Sequence, residues 1–251
     1  PNSVISQMED YFNLVWNHDY SVYPGENLTG KQIRKGDEKA EDLKDRLESI
    51  KVSNPEIFEN NFNWEKNTFP TKKITLIHNP IEPLNKEPWV YYELINLARN
   101  SKDSILMQSP YIIPTRDMLK ILDINSIKAE NIDVLTNSLY TSPNPFAIAG
   151  YMNHRKGIGP GSIHAKSYIF DERISAVGSF NFDSRSVHLS TETVVIIDSE
   201  EFSNHLKGEM EKYMGQSLIV GEDYNYIENP KVQAGKTPFI KKAIVKLLSI
   251  V

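Results

Sequence analysis

The segment of this chain that could carry out chemistry opens with a histidine and a lysine two residues apart. The pattern consists of five polar residues and one glycine. They are His164, Lys166, Asp171, Gly178, Ser179 and Asn181. A lysine supplies positive charge, serine and asparagine supply hydrogen-bond donors, and a histidine can supply a nucleophile. Such a set suits the binding of a phosphate group and a displacement at its phosphorus.

Two adjacent strands would bring these residues together. Side chains two positions apart on a strand share a face, so His164 and Lys166 point the same way, as do Ser179 and Asn181. If the chain turns near 171–173, a returning strand places 178–181 beside 164–166. Gly178 would then leave room for a phosphate or for a neighbouring backbone. The spacing predicts a compact phosphate-binding site on a hairpin.

The elements around this hairpin alternate between strands and helices from residue 74 onward. The predicted strands are 74–77, 104–107, 132–135, 167–170, 173–177 and 193–197. The predicted helices are 87–99, 116–122, 145–156 and 199–214. This alternation favours an α/β fold with a mixed, largely parallel sheet flanked by helices on both faces.

Composition divides the chain into three predicted segments: a helical or irregular connecting region over 1–73, a lobe that holds the site over 74–216, and a C-terminal extension over 217–251. Within the first segment, 31–50 is dense in charge and predicts a solvated helix rather than a binding face. The basic and apolar tail 238–251 suits a membrane interface or a docked helix. The glycine-rich join 157–161 is either a short connection or a place where residues are missing from the numbering.

The overall composition excludes several classes of function. The chain has 251 residues, a formal net charge of -5 and no cysteine, which rules out disulfides, zinc thiolates and cysteine nucleophiles. It contains no apolar run of about 18 residues, the length that spans a bilayer. The acidic balance gives no overall basic field for nucleic acid. We expect neither a metal nor a cofactor, because no carboxylate cluster indicates a magnesium site.

The pattern from His164 to Asn181 resembles the His-x-Lys/Asp (HKD) motif of the phospholipase D superfamily. Residues 178–192 and 108–114, followed by 133–138, are similar to the bacterial cardiolipin synthase branch. The resemblance covers most of residues 74–200. It implies a phospholipase D-like lobe over 74–216, similar to the C-terminal half of a cardiolipin synthase.

The resemblance also assigns roles to the residues of the motif. It implies that His164 attacks phosphorus and forms a covalent phosphohistidine, and that Lys166 binds the non-bridging oxygens. Ser179 and Asn181 match the phosphate-binding pair. Asp171 completes the motif as its acidic member, although its predicted place at the hairpin turn favours a structural role.

Glu192 falls where this family often has a carboxylate that hydrogen-bonds an active-site histidine. Such a carboxylate would stabilise the imidazolium and fix its tautomer. The alternative is a surface residue at the edge of a strand.

The implied function is that of a cardiolipin synthase-like phosphatidyltransferase or phospholipase, with a phospholipid substrate, attached peripherally to the cytoplasmic face of a bacterial membrane.

The chain departs from the family in one respect. His18, His78 and His188 lack a lysine two residues on. His154 and His205 have one, but no aspartate stands five residues after it as Asp171 does after Lys166, so there is one complete motif and not two. In-line displacement needs a general acid opposite the nucleophile. The second motif must come from a missing upstream segment or from a second copy in a homodimer.

Two other functions remain open from the sequence. The first is a single-motif homodimeric phosphodiesterase or nuclease, which the acidic net charge disfavours. The second is a non-catalytic lobe with a binding role, against which the intact motif argues.

Overall fold

The computed structural model describes residues 3–22, 28–59, 63, 65–82, 86–137, 163–220 and 226–227. The chain divides into two compact units, one of residues 8–68 and one of residues 1–7 with 69–251. The predicted helix 145–156, the join 157–161 and the tail 238–251 lie outside the described residues. The predicted three-segment division stays a prediction.

Two helices precede the sheet, α1 (Val4–Trp16) and α2 (Gly30–Ser53). Thr29 caps α2 in a reciprocal arrangement, because its side chain accepts from the Gln32 amide while the Gln32 side chain accepts from the Thr29 amide. Short 3-10 turns follow at Pro55–Ile57 and Glu65–Asn67. No described residue of α2 is buried, as the charge-rich sequence predicts. None of the described helices is both long enough and apolar enough to cross a membrane.

A six-stranded sheet forms the centre of the second unit. Its strands are β1 (Lys73–His78), β2 (Ser104–Gln108), β4 (Asn131–Leu135), β5 (Ser167–Phe170), β6 (Ile174–Gly178) and β8 (Thr193–Asp198). Four short strands pair outside it, namely β3 (Ile112–Ile113), β7 (Phe182–Asp183), β9 (Ile219–Val220) and β10 (Tyr226–Ile227). The order across the sheet is β1-β8-β6-β5-β2-β4.

The mixed α/β fold is confirmed, but the prediction of a largely parallel sheet is wrong. Only β2 and β4 pair in parallel within the six-stranded sheet, and its other four pairings are antiparallel. The reason is that β5 and β6 form a hairpin, which is necessarily antiparallel, and insert between β2 and β8. The helix after β1 leads to β2, but β1 pairs with β8 instead.

Helices cover both faces of the sheet, as predicted. They are α3 (Trp89–Asn100), α4 (Arg116–Leu122), α5 (Ser184–His188) and α6 (Glu200–Met214). The larger core contains Tyr91 of α3 and Met118 of α4, together with Tyr168 and Phe180 from the site hairpin. On the other face, Met210 of α6 packs with Leu106 and Ile169. The hairpin is therefore anchored by buried side chains on both sides.

Candidate active site

The closed end of the β5–β6 hairpin is a tight turn held by a carboxylate. The Arg173 amide donates to the Phe170 carbonyl at 3.1 Å. Both central residues have positive φ, 51° at Asp171 and 52° at Glu172, as in the primed turns of hairpins. The Asp171 carboxylate accepts from the backbone amides of the segment before β2, at 2.9–3.1 Å from Lys102, Asp103 and Ser104.

These contacts determine the protonation of Asp171. Burial acts to raise the pKa of its carboxyl group, but the hydrogen bonds from Ser104, Asp103 and Lys102 outweigh burial and hold the pKa below its ordinary value. Asp171 lies five residues from Lys166 along an extended strand, or about 16 Å. It therefore fixes the turn at one end of the hairpin, which agrees with the structural role that its position favours.

The open end of the hairpin brings together the histidine and the lysine of the motif. The Lys166 ammonium donates to the His164 carbonyl at 2.8 Å and lies 3.2 Å from Nδ1 and 3.4 Å from Nε2 of the same residue. Lys166 is only 7% exposed, whereas His164 is exposed. The imidazole thus faces solvent with a cation beside it.

Burial changes the electrostatics of Lys166. Desolvation lowers the pKa of its ammonium, and the nearby negative charges of Glu192 and Asp183 partly oppose that change. The charged form of Lys166 is therefore costly in the empty site. An anion bound beside it would restore favourable interactions for that charge.

Gly178 joins the hairpin to the neighbouring strand at the site. Its amide donates to the Lys166 carbonyl at 3.2 Å, and the next amide, of Ser179, donates to the Thr193 carbonyl at 2.9 Å. A Cβ atom at 178 would lie 2.1 Å from the Thr193 oxygen. Of the two reasons that the sequence offers for this glycine, the structure supports the close approach of a neighbouring backbone.

Glu192 lies under the site and is not a surface residue, since it is only 6% exposed. One of its carboxylate oxygens accepts from the Ser179 hydroxyl, and the other accepts from the Ser186 hydroxyl at 2.8 Å. The carboxylate therefore orients the serine of the motif. The hydrogen bond from Glu192 to an active-site histidine, which the resemblance implies, stays a prediction.

Asn181 has an amide group that no described residue satisfies. Its backbone amide donates to Ser186 Oγ at 3.1 Å, but its side-chain Oδ1 is buried and has no partner among the described residues. A buried polar atom without a partner costs about 1–3 kcal/mol. Only a group that donates a hydrogen bond to this oxygen would remove the cost, and a phosphoryl oxygen does not.

Sequence reasoning missed Asn79 and Ser186, which support Glu192 and Asn181 from behind. Asp183 caps α5 by accepting from the Ser186 amide at 2.9 Å. Asn79, fully buried after β1, donates to the Ser186 carbonyl at 2.9 Å. A polar residue directly after a strand that carries apolar residues was the available signal for Asn79, whereas a lone serine such as Ser186 carries none.

A second asparagine fixes the chain just before the motif. The side chain of Asn137 donates to the Ile163 carbonyl at 2.9 Å and accepts from the Ile163 amide at 2.8 Å. This pair holds the residue before His164 against the end of β4. The segment 133–138 stands out in the sequence only through the resemblance.

These side chains line one cavity of about 500 Å³. Its walls are formed by His164, Ala165, Lys166, Ser167, Val177, Gly178, Ser179, Asn181 and Glu192. The structure thus brings together every predicted site residue except Asp171. Within the described part of the chain, no three histidine or acidic residues are grouped to hold a metal ion. The cavity offers an imidazole, a cation, a hydroxyl and a free amide, a set that suits a phosphoryl group.

Comparison with known proteins agrees with this chemistry. The family described as "Cardiolipin synthase, PLD-like domain" matches residues 94–214. An uncharacterized protein of Helicobacter pylori is 24% identical over 85% of this chain and 49% of its own length. Cardiolipin synthase 1 of Bacillus anthracis is 22% identical over 74% of this chain and 38% of its own length. The chain thus spans less than half of these relatives.

A solved structure shows the same fold. The phosphatidylserine synthase of Haemophilus influenzae has a TM-score of 0.53 and 12% identity, over 98% of this chain and 60% of that one. Residues 94–214 are a phospholipase D-like domain. These matches support a protein of the phospholipase D superfamily.

Proposed function

We propose that this chain supplies one half of a cardiolipin synthase-like active site, with His164 as the nucleophile. The observation that carries the proposal is the Lys166 ammonium, 3.2 Å from His164 Nδ1, in a cavity that also exposes Ser179 and Asn181. A nucleophile and a cation within reach of one phosphoryl group are what phosphodiester displacement needs. The likeness to cardiolipin synthases supports a phospholipid as substrate.

The proposed reaction has two displacements at one phosphorus atom. A ring nitrogen of His164 attacks the phosphorus of phosphatidylglycerol, and the bond to the glycerol headgroup oxygen breaks. That oxygen takes a proton from a general acid, and free glycerol leaves. The hydroxyl of a second phosphatidylglycerol then attacks the phosphohistidine, gives its proton to the same group, and forms cardiolipin. Attack by water instead would give phosphatidic acid.

The protein side chains have separate parts in this scheme. Lys166 balances the charge on the non-bridging oxygens, and the Nδ2 group of Asn181 donates to them. Ser179, whose one hydroxyl proton goes to Glu192 in the structure, lines the phosphate pocket beside them. Glu192 holds the Ser179 hydroxyl in place. The general acid is a histidine of a second motif, from an upstream half of the same polypeptide or from a second copy of this chain. The enzyme would work at a membrane surface, because its substrate lies there.

The test uses the full gene product with vesicles of phosphatidylglycerol in the presence of EDTA. We expect cardiolipin and glycerol in equal amounts, detected by mass spectrometry, and no product from the His164→Asn variant. Asp171→Asn is the matched control, because Asp171 belongs to the motif but lies outside the cavity. Absence of product from folded protein, or dependence on a divalent metal, would contradict the proposal.

A homodimeric phosphodiesterase is the second candidate, and the single complete His-x-Lys/Asp motif in 251 residues favours it. Two copies would then each supply one histidine to a shared site. In that case the isolated chain is dimeric and cleaves bis(p-nitrophenyl) phosphate. Mixing it with an excess of His164→Asn chain would suppress turnover by trapping the active chain in mixed dimers. A monomeric, inactive chain excludes this candidate.

A further inference from the structure

Helix α2 carries an apolar stripe that is exposed along its whole length. The stripe is formed by residues three and four apart, namely Ile33, Ala40, Leu43, Leu47 and Ile50. The exposed fractions are 50% for Ile33, 61% for Leu43, 44% for Leu47 and 43% for Ile50. Residues at this spacing lie on one face of a helix. The helix is capped at its N-terminus by Thr29, and it leaves this apolar face exposed.

Basic residues border the stripe on both sides. Successive residues turn by about 100°, so Lys39 and Arg46 lie along one edge, and Lys44 and Lys51 lie along the other, which Asp37 begins. Lys51 pairs with Glu48 at 2.8 Å. The remaining three cations form no ion pair with any described residue, so their charges are available to a partner.

The opposite side of α2 is acidic. It carries Glu38, Glu41, Asp42, Asp45 and Glu48. An apolar centre, basic borders and an acidic outer face match the layers of a lipid surface. Leucine and isoleucine side chains enter the acyl boundary, lysine and arginine stems reach the headgroup phosphates, and the carboxylates stay in water.

We propose that α2 docks on an anionic phospholipid surface through the stripe and its four basic neighbours. The proposal goes beyond the proposed reaction and does not depend on it, because binding to vesicles is measured without turnover. The sequence alone predicts α2 only as a solvated helix.

A second copy of α2 is a poorer occupant of the same stripe. In a two-stranded coiled coil the positions that flank the seam face each other across the interface. In a parallel pair those positions bring Lys39 against Lys44 and Arg46 against Lys51, and like charges repel. Ala40 and Gly36 also leave a shallow seam that gives a partner helix little to pack on.

The test is sedimentation of the full chain with phosphatidylcholine vesicles that either contain or lack phosphatidylglycerol. The double variant Leu43→Gln with Leu47→Gln should weaken binding to the anionic vesicles by at least about tenfold. Val52→Gln is the matched control, because Val52 is 83% exposed but lies away from the stripe, and it should bind as the native chain does.

Charge is tested with a second pair of variants. Lys44→Gln with Arg46→Gln should weaken binding by about fivefold for each charge removed, and added salt should weaken native binding in the same way. The control is Arg34→Gln on the acidic side, where Arg34 lies 3.9 Å from Glu38. Helix content by circular dichroism should not change in any variant, because all these side chains are exposed.

Three results would overturn the proposal. The native chain could fail to sediment with anionic vesicles, or it could bind equally well after the leucines are replaced. The leucine variant could also turn a dimer into a monomer in light scattering, which would assign the stripe to a second copy.

Discussion

The two ends of the β5–β6 hairpin use polar residues in opposite ways. At the turn, the Asp171 carboxylate accepts three backbone amides, and these bonds hold its pKa below the ordinary value. At the open end, Lys166 is buried with its pKa lowered, and Asn181 Oδ1 has no partner among the described residues. The charged form is favoured at Asp171 and disfavoured at Lys166.

The turn of this hairpin therefore serves stability, whereas its open end, a few residues away, serves binding. The satisfied carboxylate stabilises the fold, whereas the unpartnered Asn181 Oδ1 and the desolvated Lys166 ammonium oppose it. Functional sites often hold such unfavourable groups while the rest of the fold compensates for them. Substitutions at the two ends should therefore affect activity and unfolding separately.

The largest effect is expected at the open end. Replacing His164 with Asn removes the proposed nucleophile and should lower kcat by about 10⁴-fold or more. Because the side chain is exposed, the free energy of unfolding should change by less than about 0.5 kcal/mol. Phosphatidylglycerol turnover and urea unfolding measure the two quantities. Retained activity would remove His164 from the reaction.

Replacing Lys166 with Met should separate the effect on activity from the effect on stability most clearly. Loss of the cation should lower kcat by about 10²–10³-fold. The free energy of unfolding should stay the same or rise by up to about 1 kcal/mol, because a buried charge is removed while the volume is kept. The control is Lys120→Met at a lysine that is 78% exposed. A marked loss of stability in Lys166→Met would mean that the two ends do not differ.

The opposite result is expected from Asp171→Asn. The variant should lose about 1–3 kcal/mol of unfolding free energy at neutral pH, while kcat changes by less than about threefold. Since the folded pKa is below 3.8, the stabilisation is complete above that value and is lost as the pH falls through the folded pKa. Urea unfolding at several pH values should show the gap between native and variant closing only at pH below 3.8. A gap independent of pH would show that charge on Asp171 does not matter.

The smallest effect is expected from Glu172→Gly. A non-glycine residue at a φ of 52° is strained, and glycine removes about 1 kcal/mol of that cost. The lost ion pair with Lys207 is partly exposed and offsets part of the gain. Glu172→Ala is the matched control, because it loses the ion pair but keeps the strain. The glycine variant should unfold at a higher temperature than the alanine variant, and equal values would contradict the strain.

The sequence predicts well the part of the site that the His-x-Lys motif and residues 178–181 form, because these residues are close together in the chain. His164 and Lys166 directly precede β5, and Ser179 and Asn181 directly follow β6, rather than lying on these strands as predicted. The one turn of the hairpin brings the two strand ends together. The strands predicted over 167–170 and 173–177 occur at Ser167–Phe170 and Ile174–Gly178. Short-range geometry of this kind needs no knowledge of the rest of the chain.

What the sequence could not predict depends on distant contacts. The pairing of β1 with β8 follows from how the whole sheet closes, and the helix between β1 and β2 suggested a parallel neighbour instead. The bond from Asn79 to Ser186 joins residues 107 apart in the chain. Serines and asparagines are common in loops, so neither residue is distinctive before the fold brings them together.

The tight turn at Asp171 also has a consequence for the order of folding. Pairing of β5 with β6 closes a loop of only a few residues, which costs little chain entropy, whereas β1 must find β8 with Lys73 opposite Asp198. Local pairs of this kind form faster than distant ones. The hairpin that carries Lys166 is therefore expected to exist early in folding, and the outer strand that seals the sheet joins it last.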